Sequence, residues 1–229
     1  MDDVMIAAIV TRKWPLAQGY HAVELQTKHR SELPPFEDGA IVDLVQDTTS
    51  NAVRSHPLWH TSSRRDAFIL GVRQEADRGA EKLSPDFSWN RGDEIYVSPP
   101  KSATVVMDGS AHYLLFSAGV GVNAIAGVAR RLALTGTRFE LHNFARTPER
   151  AVFRKELDEF HACGRVYHRI GLNEDEISRA MSHALSPTNA SSQIICSGPP
   201  AFMKLIERQA LDWVYPSNVH KIILGEKVI

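Results

Sequence analysis

Ser117-Ala118-Gly119-Val120-Gly121-Val122-Asn123-Ala124 is the stretch on which the fold of this chain turns. Just ahead of it, Tyr113 to Ser117 reads as a short, continuously apolar strand, the pattern of a strand buried on both faces of a parallel sheet. Just behind it, Asn123 to Leu134 sets Ile125, Val128, Ala129 and Leu132 at helical spacing. A strand that turns through glycines into a helix brings free N–H groups and the positive helix end to one point. That point suits a pyrophosphate. Gly119, Gly121 and Ala124 fit the G-x-G-x-x-A form of the dinucleotide fingerprint. A tight packing turn uses glycines in the same way, so the pattern alone leaves both uses open.

Downstream the same grammar repeats. Arg138 to Phe144 reads as a strand, Pro148 to Phe160 as a helix, Val166 to Ile170 as a strand and Glu174 to Leu185 as a helix. Gln193 to Cys196 is the next strand, Pro200 to Leu211 the next helix and Val219 to Leu224 the last strand. This alternation predicts an α/β doubly wound parallel sheet. A site for NAD would place an acidic residue after the second strand, to meet the ribose 2′-hydroxyl. The chain has Asn143-Phe144-Ala145-Arg146-Thr147 there, with Arg150 one turn on. Guanidinium geometry suits a 2′-phosphate, so Arg146 points weakly to NADPH; a solvated loop arginine is the plainer use. Cys196-Ser197-Gly198-Pro199 stands at the carboxyl end of a strand, where ligands bind in open α/β sheets, although a Gly-Pro turn is also an ordinary connection.

Upstream the grammar changes. Met5 to Val10, His21 to Gln26, Ile41 to Val45, Ala67 to Arg73 and Glu94 to Val97 read as short strands broken by Pro, Gly, Asn and Ser clusters. They predict a closed antiparallel β-barrel. The expected domains are 1–104 and 105–229. Arg54-Ser55-His56-Pro57 is expected just after a strand, and Pro57 argues against a helix that would aim His56 and His60 at one metal. Lys and Arg number 26 against 27 Asp and Glu, so the net charge is −1 and no global field draws the chain to nucleic acid or an anionic membrane. No apolar run approaches the roughly 18–20 residues of a membrane span. The acidic start, Met1-Asp2-Asp3, lacks the marks of a signal peptide. Two cysteines, Cys163 and Cys196, are too few for a four-thiolate cluster or a disulfide framework. A cytoplasmic protein without a metal site or an intrinsic iron–sulfur cluster is expected.

These stretches, in this order, resemble the ferredoxin–NADP reductase superfamily, and more narrowly its phthalate dioxygenase reductase / vanillate demethylase reductase family. Leu16-Ala17-Gln18-Gly19-Tyr20 and Leu33-Pro34-Pro35-Phe36 are similar to its early barrel, and Gly92-Asp93-Glu94-Ile95-Tyr96-Val97-Ser98 to its G-D-x-L-x-I-S strand. Leu115 to Asn123 is similar to its nicotinamide-nucleotide loop. Phe139-Glu140-Leu141-His142 with Arg146 and Arg150 is similar to F-E-L-H-Y-x-x-R-x-x-E-R, and Ser197 to Met203 to C-G-P-x-x-F-M. The resemblance implies a flavin-binding barrel followed by a nicotinamide-nucleotide domain. It implies an NAD(P)H-dependent flavoprotein that passes electrons to a separate ferredoxin, iron–sulfur or oxygenase subunit. It places Arg54, Ser55, His56 and Pro57 at the flavin, FMN by this family's habit, with backbone from Gly71, Val72, Gly79 and Ala80. It places Gly119, Val120 and Gly121 at the coenzyme pyrophosphate, Arg146, Thr147 and Arg150 at its adenosine end, and Ser197, Gly198 and Pro199 near the nicotinamide. His56 and Ser197 are the side chains expected nearest the chemistry.

The chain also departs from that pattern. The flavin motif R-x-Y-S stands as Arg54-Ser55-His56-Pro57, and proline has neither hydroxyl nor N–H to donate. The phosphate-binding G-G-S stands as Gly79-Ala80-Glu81, with a carboxylate where a hydroxyl is expected. The family cysteine beside the nicotinamide aligns with Ser197, and the C-terminal ferredoxin domain is expected to be missing. Weak flavin binding follows, with two alternatives: a degenerate structural or regulatory subunit of an oxygenase assembly, or a reductase of free flavin.

Overall fold

The computed structural model describes residues 5–32, 34–36, 40–45, 52–59, 66–73, 89–101, 111–186 and 188–228. The chain divides into two units, Met1–Ala103 with Leu224–Ile229, and Thr104–Ile223.

The first unit is an antiparallel sheet of β1 (Ile6–Ala17), β2 (Tyr20–Thr27), β3 (Ile41–Val45), β4 (Ala52–Trp59), β5 (Ala67–Arg73) and β6 (Glu94–Val97), joined by the strand Gly225–Val228 near the chain's end. The order is final strand–β4–β3–β6–β1–β2–β5, and a further β4–β5 pairing closes the barrel. Alternation drives the closure. Val42 and Leu44 of β3, Leu58 of β4, Phe68 and Leu70 of β5, and Ile95 and Val97 of β6 share one buried cluster with Trp89. β1 runs farther than its alternation showed, because irregularities between Val10 and Arg12 and between Pro15 and Ala17 shift the period.

Arg54 to Pro57 lie inside β4 rather than after a strand. Pro57 is tolerated there because it faces Ile41, whose N–H and C=O are both exchanged with Lys101 at 2.7 and 2.8 Å. The missing proline N–H therefore removes no ladder bond on that side.

The second unit holds β7 (Tyr113–Ala118), α1 (Gly121–Leu134), β8 (Phe139–Ala145), α2 (Arg154–Asp158), β9 (Arg165–Ile170), α3 (Glu174–Leu185), β10 (Gln193–Ser197), α4 (Pro200–Ala210) and β11 (Val219–Lys221). All five strands are parallel, in the order β11–β10–β7–β8–β9. The expected helix over Pro148 to Phe160 is broken into two short 3-10 turns flanking a five-residue α2. Phe153 adopts φ +56°, a left-handed conformation that ends any helix, while Val152 and Phe153 are both buried. α3 begins with a reciprocal cap between Asn173 and Glu176. The last strand is shorter than expected, and the chain then returns to β4 as the final strand of the barrel unit, which is named β12 below.

The chain lays β8 and β9 on one side of β7, then crosses back to lay β10 and β11 on the other. The carboxyl ends of β7 and β10 flank this reversal, and such a crevice is where doubly wound sheets take ligands.

Candidate functional site

β7 delivers the glycine loop to the reversal point. Gly119 sits at φ +57°, which a side chain reaches only at a cost. Gly121 packs so closely on β10 that a Cβ there would stand 2.4 Å from the carbonyl oxygen of Ser197. The loop thus brings the start of α1 against the end of β10 by backbone alone. No side chain caps α1, and its first turn carries no acidic residue, which leaves its positive end open to an anion. Asn123 in that turn is 4 % exposed, and its Nδ2 has no hydrogen-bond partner among the described residues. Its place in the glycine stretch does not single it out in the sequence; a buried, unsatisfied amide is the signal that marks it.

Behind the loop, the polar side chains are committed. Ser117 donates to Asn143 Oδ1 at 3.0 Å, and Ser197 to the carbonyl oxygen of Ile222 at 2.9 Å. Ser197 is fully buried, so the strand end presents backbone rather than its hydroxyl. Cys196 faces the apolar cluster on the other side of the sheet, and burial pushes its thiol up to about 12. It holds no thiolate near neutral pH.

A cleft of about 390 Å³ opens beside the ends of β7 and β8. Phe144, Ile177, Phe202 and Leu205 line it, and Phe144 and Phe202 meet edge to face at 5.3 Å. Arg146 and Pro199 line the same cleft; Thr147, Arg150, Gly119, Val120, Gly121, Ser197 and Gly198 do not. Arg146 is exposed. Glu174, the first residue of α3, also lines the cleft. The carboxylate expected after the second strand is absent there, and this one arrives from the crossover after β9. An apolar slot with charged groups at its edge and an uncapped helix end nearby suits a nucleotide.

The barrel site reads differently. Arg54 and His56 stand opposite Leu44 and Val42 on β3, both core residues, so the two motif side chains share the core-facing side of β4. His56 is 8 % exposed, with its ring 6.2 Å from that of Trp89. Ser55 donates to Asp43 Oδ1 at 2.6 Å, across the same pair of strands. Val72 lies in the barrel core and Gly71 pairs with Ala22, so this strand offers backbone only. Gly79, Ala80 and Glu81 lie outside the described residues. Arg54 thus places a cation on this strand, and His56 is buried beside Trp89.

No family model matches the chain. It is 24% identical over 217 residues to the phthalate dioxygenase reductase of Burkholderia cepacia, covering 93% of the chain and 66% of that protein. It is 26% identical over 199 residues to the vanillate O-demethylase oxidoreductase of Acinetobacter baylyi, covering 86% of the chain and 61% of that protein. The solved structure of phthalate dioxygenase reductase superposes with a TM-score of 0.75 at 23% identity, over 96% of the chain and 68% of its own length. The chain is a homologue of these oxygenase reductases. It shares the fold of that structure, an antiparallel barrel followed by a parallel-sheet α/β unit. It spans slightly less than two thirds of the length of those two curated reductases. No helix among the described residues is long and apolar enough to cross a membrane.

Proposed function

We propose that the chain is an NAD(P)H-dependent reductase component that takes electrons from a pyridine nucleotide, through a loosely held flavin, to a separate iron–sulfur or oxygenase partner. The observation that carries this reading is the glycine loop against β10 with an uncapped α1 and an apolar cleft alongside. Gly119, Val120 and Gly121 would receive the pyrophosphate through backbone N–H groups, and Phe144 and Phe202 the adenine. Arg146 would meet a 2′-phosphate, while Glu174 suits a ribose hydroxyl. Ser197, Gly198 and Pro199 would set the floor by the nicotinamide. A flavin supplies the conversion of hydride transfer into single-electron steps. Arg54 would hold its phosphate and His56 would border its ring. The 229 residues hold two cysteines, so a four-cysteine cluster must lie outside them.

Isothermal titration with NADPH and NADH tests the coenzyme site, and FMN and FAD titrations test the barrel. Binding of either coenzyme, lost in Gly121→Val, supports the reading; no binding of either removes it. The runner-up is a reductase-like regulatory subunit with no working flavin site. The burial of His56 and the proline at position 57 favour it. It predicts coenzyme binding with no flavin binding at any workable concentration.

A further inference from the structure

A second cleft, of about 900 Å³, lies in the nucleotide-binding unit on the α3 side of the sheet. Its floor reaches His112 and Ser192, which precede β7 and β10, so it opens toward the strand ends opposite the glycine loop. One wall is a ladder of flat side chains. Phe116, His142 and Tyr167 sit in register across β7, β8 and β9, with ring centroids 5.2 and 4.7 Å apart and planes 19° from parallel at each step. The Arg169 guanidinium covers Tyr167 at 5.1 Å. His142 and Tyr167 line the cleft, and the opposite wall is α3, with Arg179, Ala180 and Ala184.

Thr188 donates to Ser192 Oγ at 3.0 Å, but two polar groups of the ladder wall are left without partners among the described residues. His142 is 1 % exposed, and neither ring nitrogen has a hydrogen-bond partner among the described residues. Its Nε2 stands 3.8 Å from Glu140, too far for a hydrogen bond. Burial pushes the His142 pKa down, so the ring is neutral and offers one donor and one acceptor. Arg169 Nε is also buried without a partner. The Glu140 carboxylate, on the same wall, is met by Arg165 at 3.2 Å, and the arginines lining the cleft are Arg169 and Arg179. Buried polar groups are almost always hydrogen-bonded, and an orphaned imidazole in an arginine-lined cleft of ligand size marks a place for something else.

We propose that this cleft is a second small-molecule site, sharing only Arg169 with the lining of the coenzyme cleft, for a small organic anion with an apolar body, a carboxylate or a phosphate ester. The anionic group meets Arg169 and Arg179, the body lies along Leu114, Ala180 and Ala184, and a polar atom of the ligand pairs with His142.

Benzoate and phenyl phosphate are the probes, titrated into the intact chain with its histidine imidazole resonances followed by NMR. Benzyl alcohol is the neutral control and inorganic phosphate the control without an apolar body. At least one organic anion is expected to shift His142 saturably and to bind about tenfold or more tightly than either control. Arg179→Glu, on an exposed helix position, and His142→Phe, which keeps the stack, are each expected to weaken it by about tenfold. NADPH binding, measured in the same samples, is expected to survive Arg179→Glu, which separates failure here from failure of the coenzyme reading. The proposal is overturned if neither organic anion shifts His142, if inorganic phosphate binds as well as both, or if both variants bind the probe like the original chain. Benzoate alone would name a carboxylate as ligand, and phenyl phosphate alone a phosphate ester.

Discussion

The glycine loop of the parallel sheet and the Arg54–Pro57 strand of the barrel are both candidate cofactor sites, but they are made of different material. The first is made of backbone: a left-handed Gly119, a Gly121 with no room for a Cβ, and an uncapped helix end. The second depends on side chains, and of its four motif positions one is a proline and one a buried histidine. Almost any neighbour leaves a backbone site intact, whereas each substitution in a side-chain site removes a specific contact. Under the proposed function, the difference gives the chain a backbone frame for the coenzyme and a thinner, side-chain one for the flavin.

The sharpest way to break this contrast is at Gly121. Gly121→Val drives a side chain into the Ser197 carbonyl, and such overpacking costs about 1–3 kcal/mol or more. Coenzyme binding by calorimetry should be lost and the thermal midpoint lowered, while FMN binding to the barrel is spared. Equal loss of both ligands would show that the two sites do not stand on separate footings.

Restoring the barrel motif sharpens the contrast from the other side. Pro57→Ser together with Glu81→Ser returns two donors, each worth roughly 1–3 kcal/mol if it reaches the ligand. If both reach the ligand, FMN should bind about 30- to 10,000-fold more tightly by fluorescence quenching. His56→Tyr is the less useful change, because the ring at 56 packs beside Trp89 inside the barrel. No gain in affinity would mean that β4 is not where a flavin binds.

Arg146 should matter less. Arg146→Ala should weaken NADPH by about 1–3 kcal/mol and NADH much less, since only the former carries the 2′-phosphate. The reverse order would assign discrimination to Glu174, which lines the same cleft. The smallest effect is on pH. The pKa of His142 is pushed below 6.5 by burial, and that of Glu140 is held below 4.5, mainly by the His142 imidazole 3.8 Å away, against the opposing effect of burial. In both cases the unfolded chain binds the proton more readily, so stability falls as pH falls. The loss begins near 6.5 for His142 and near 4.5 for Glu140. His142→Phe should remove the upper part of that slope in urea melts; an unchanged slope would place it on other groups, such as His21 or His220, whose pKa values burial also lowers.

Much of this was legible in the chain itself. A continuous apolar run marked β7, alternation marked the start of β1 with β2 and β3, the turn pair Gly92-Asp93 marked β6, and the glycines of the loop stood between a readable strand and a readable helix. What stayed hidden depends on partners distant in sequence. β4 carries a proline that only the Ile41–Lys101 exchange excuses. β12 lacks any pattern until it meets β4. The break at Phe153 comes from its burial, not from a proline or glycine. Glu174 reaches the cleft by way of a crossover, and the His142 ladder exists only in cross-strand register.

The central claim is that a working coenzyme site feeds a loosely held flavin. Loss of the visible absorbance of oxidised FMN on mixing protein, NADPH and added FMN without oxygen tests it most directly. The account predicts reduction that saturates only at micromolar or higher FMN, needs the protein, disappears in Gly121→Val and leaves a colourless protein after gel filtration. Reduction absent at every FMN concentration, or a flavin that stays with the protein through gel filtration, would contradict it.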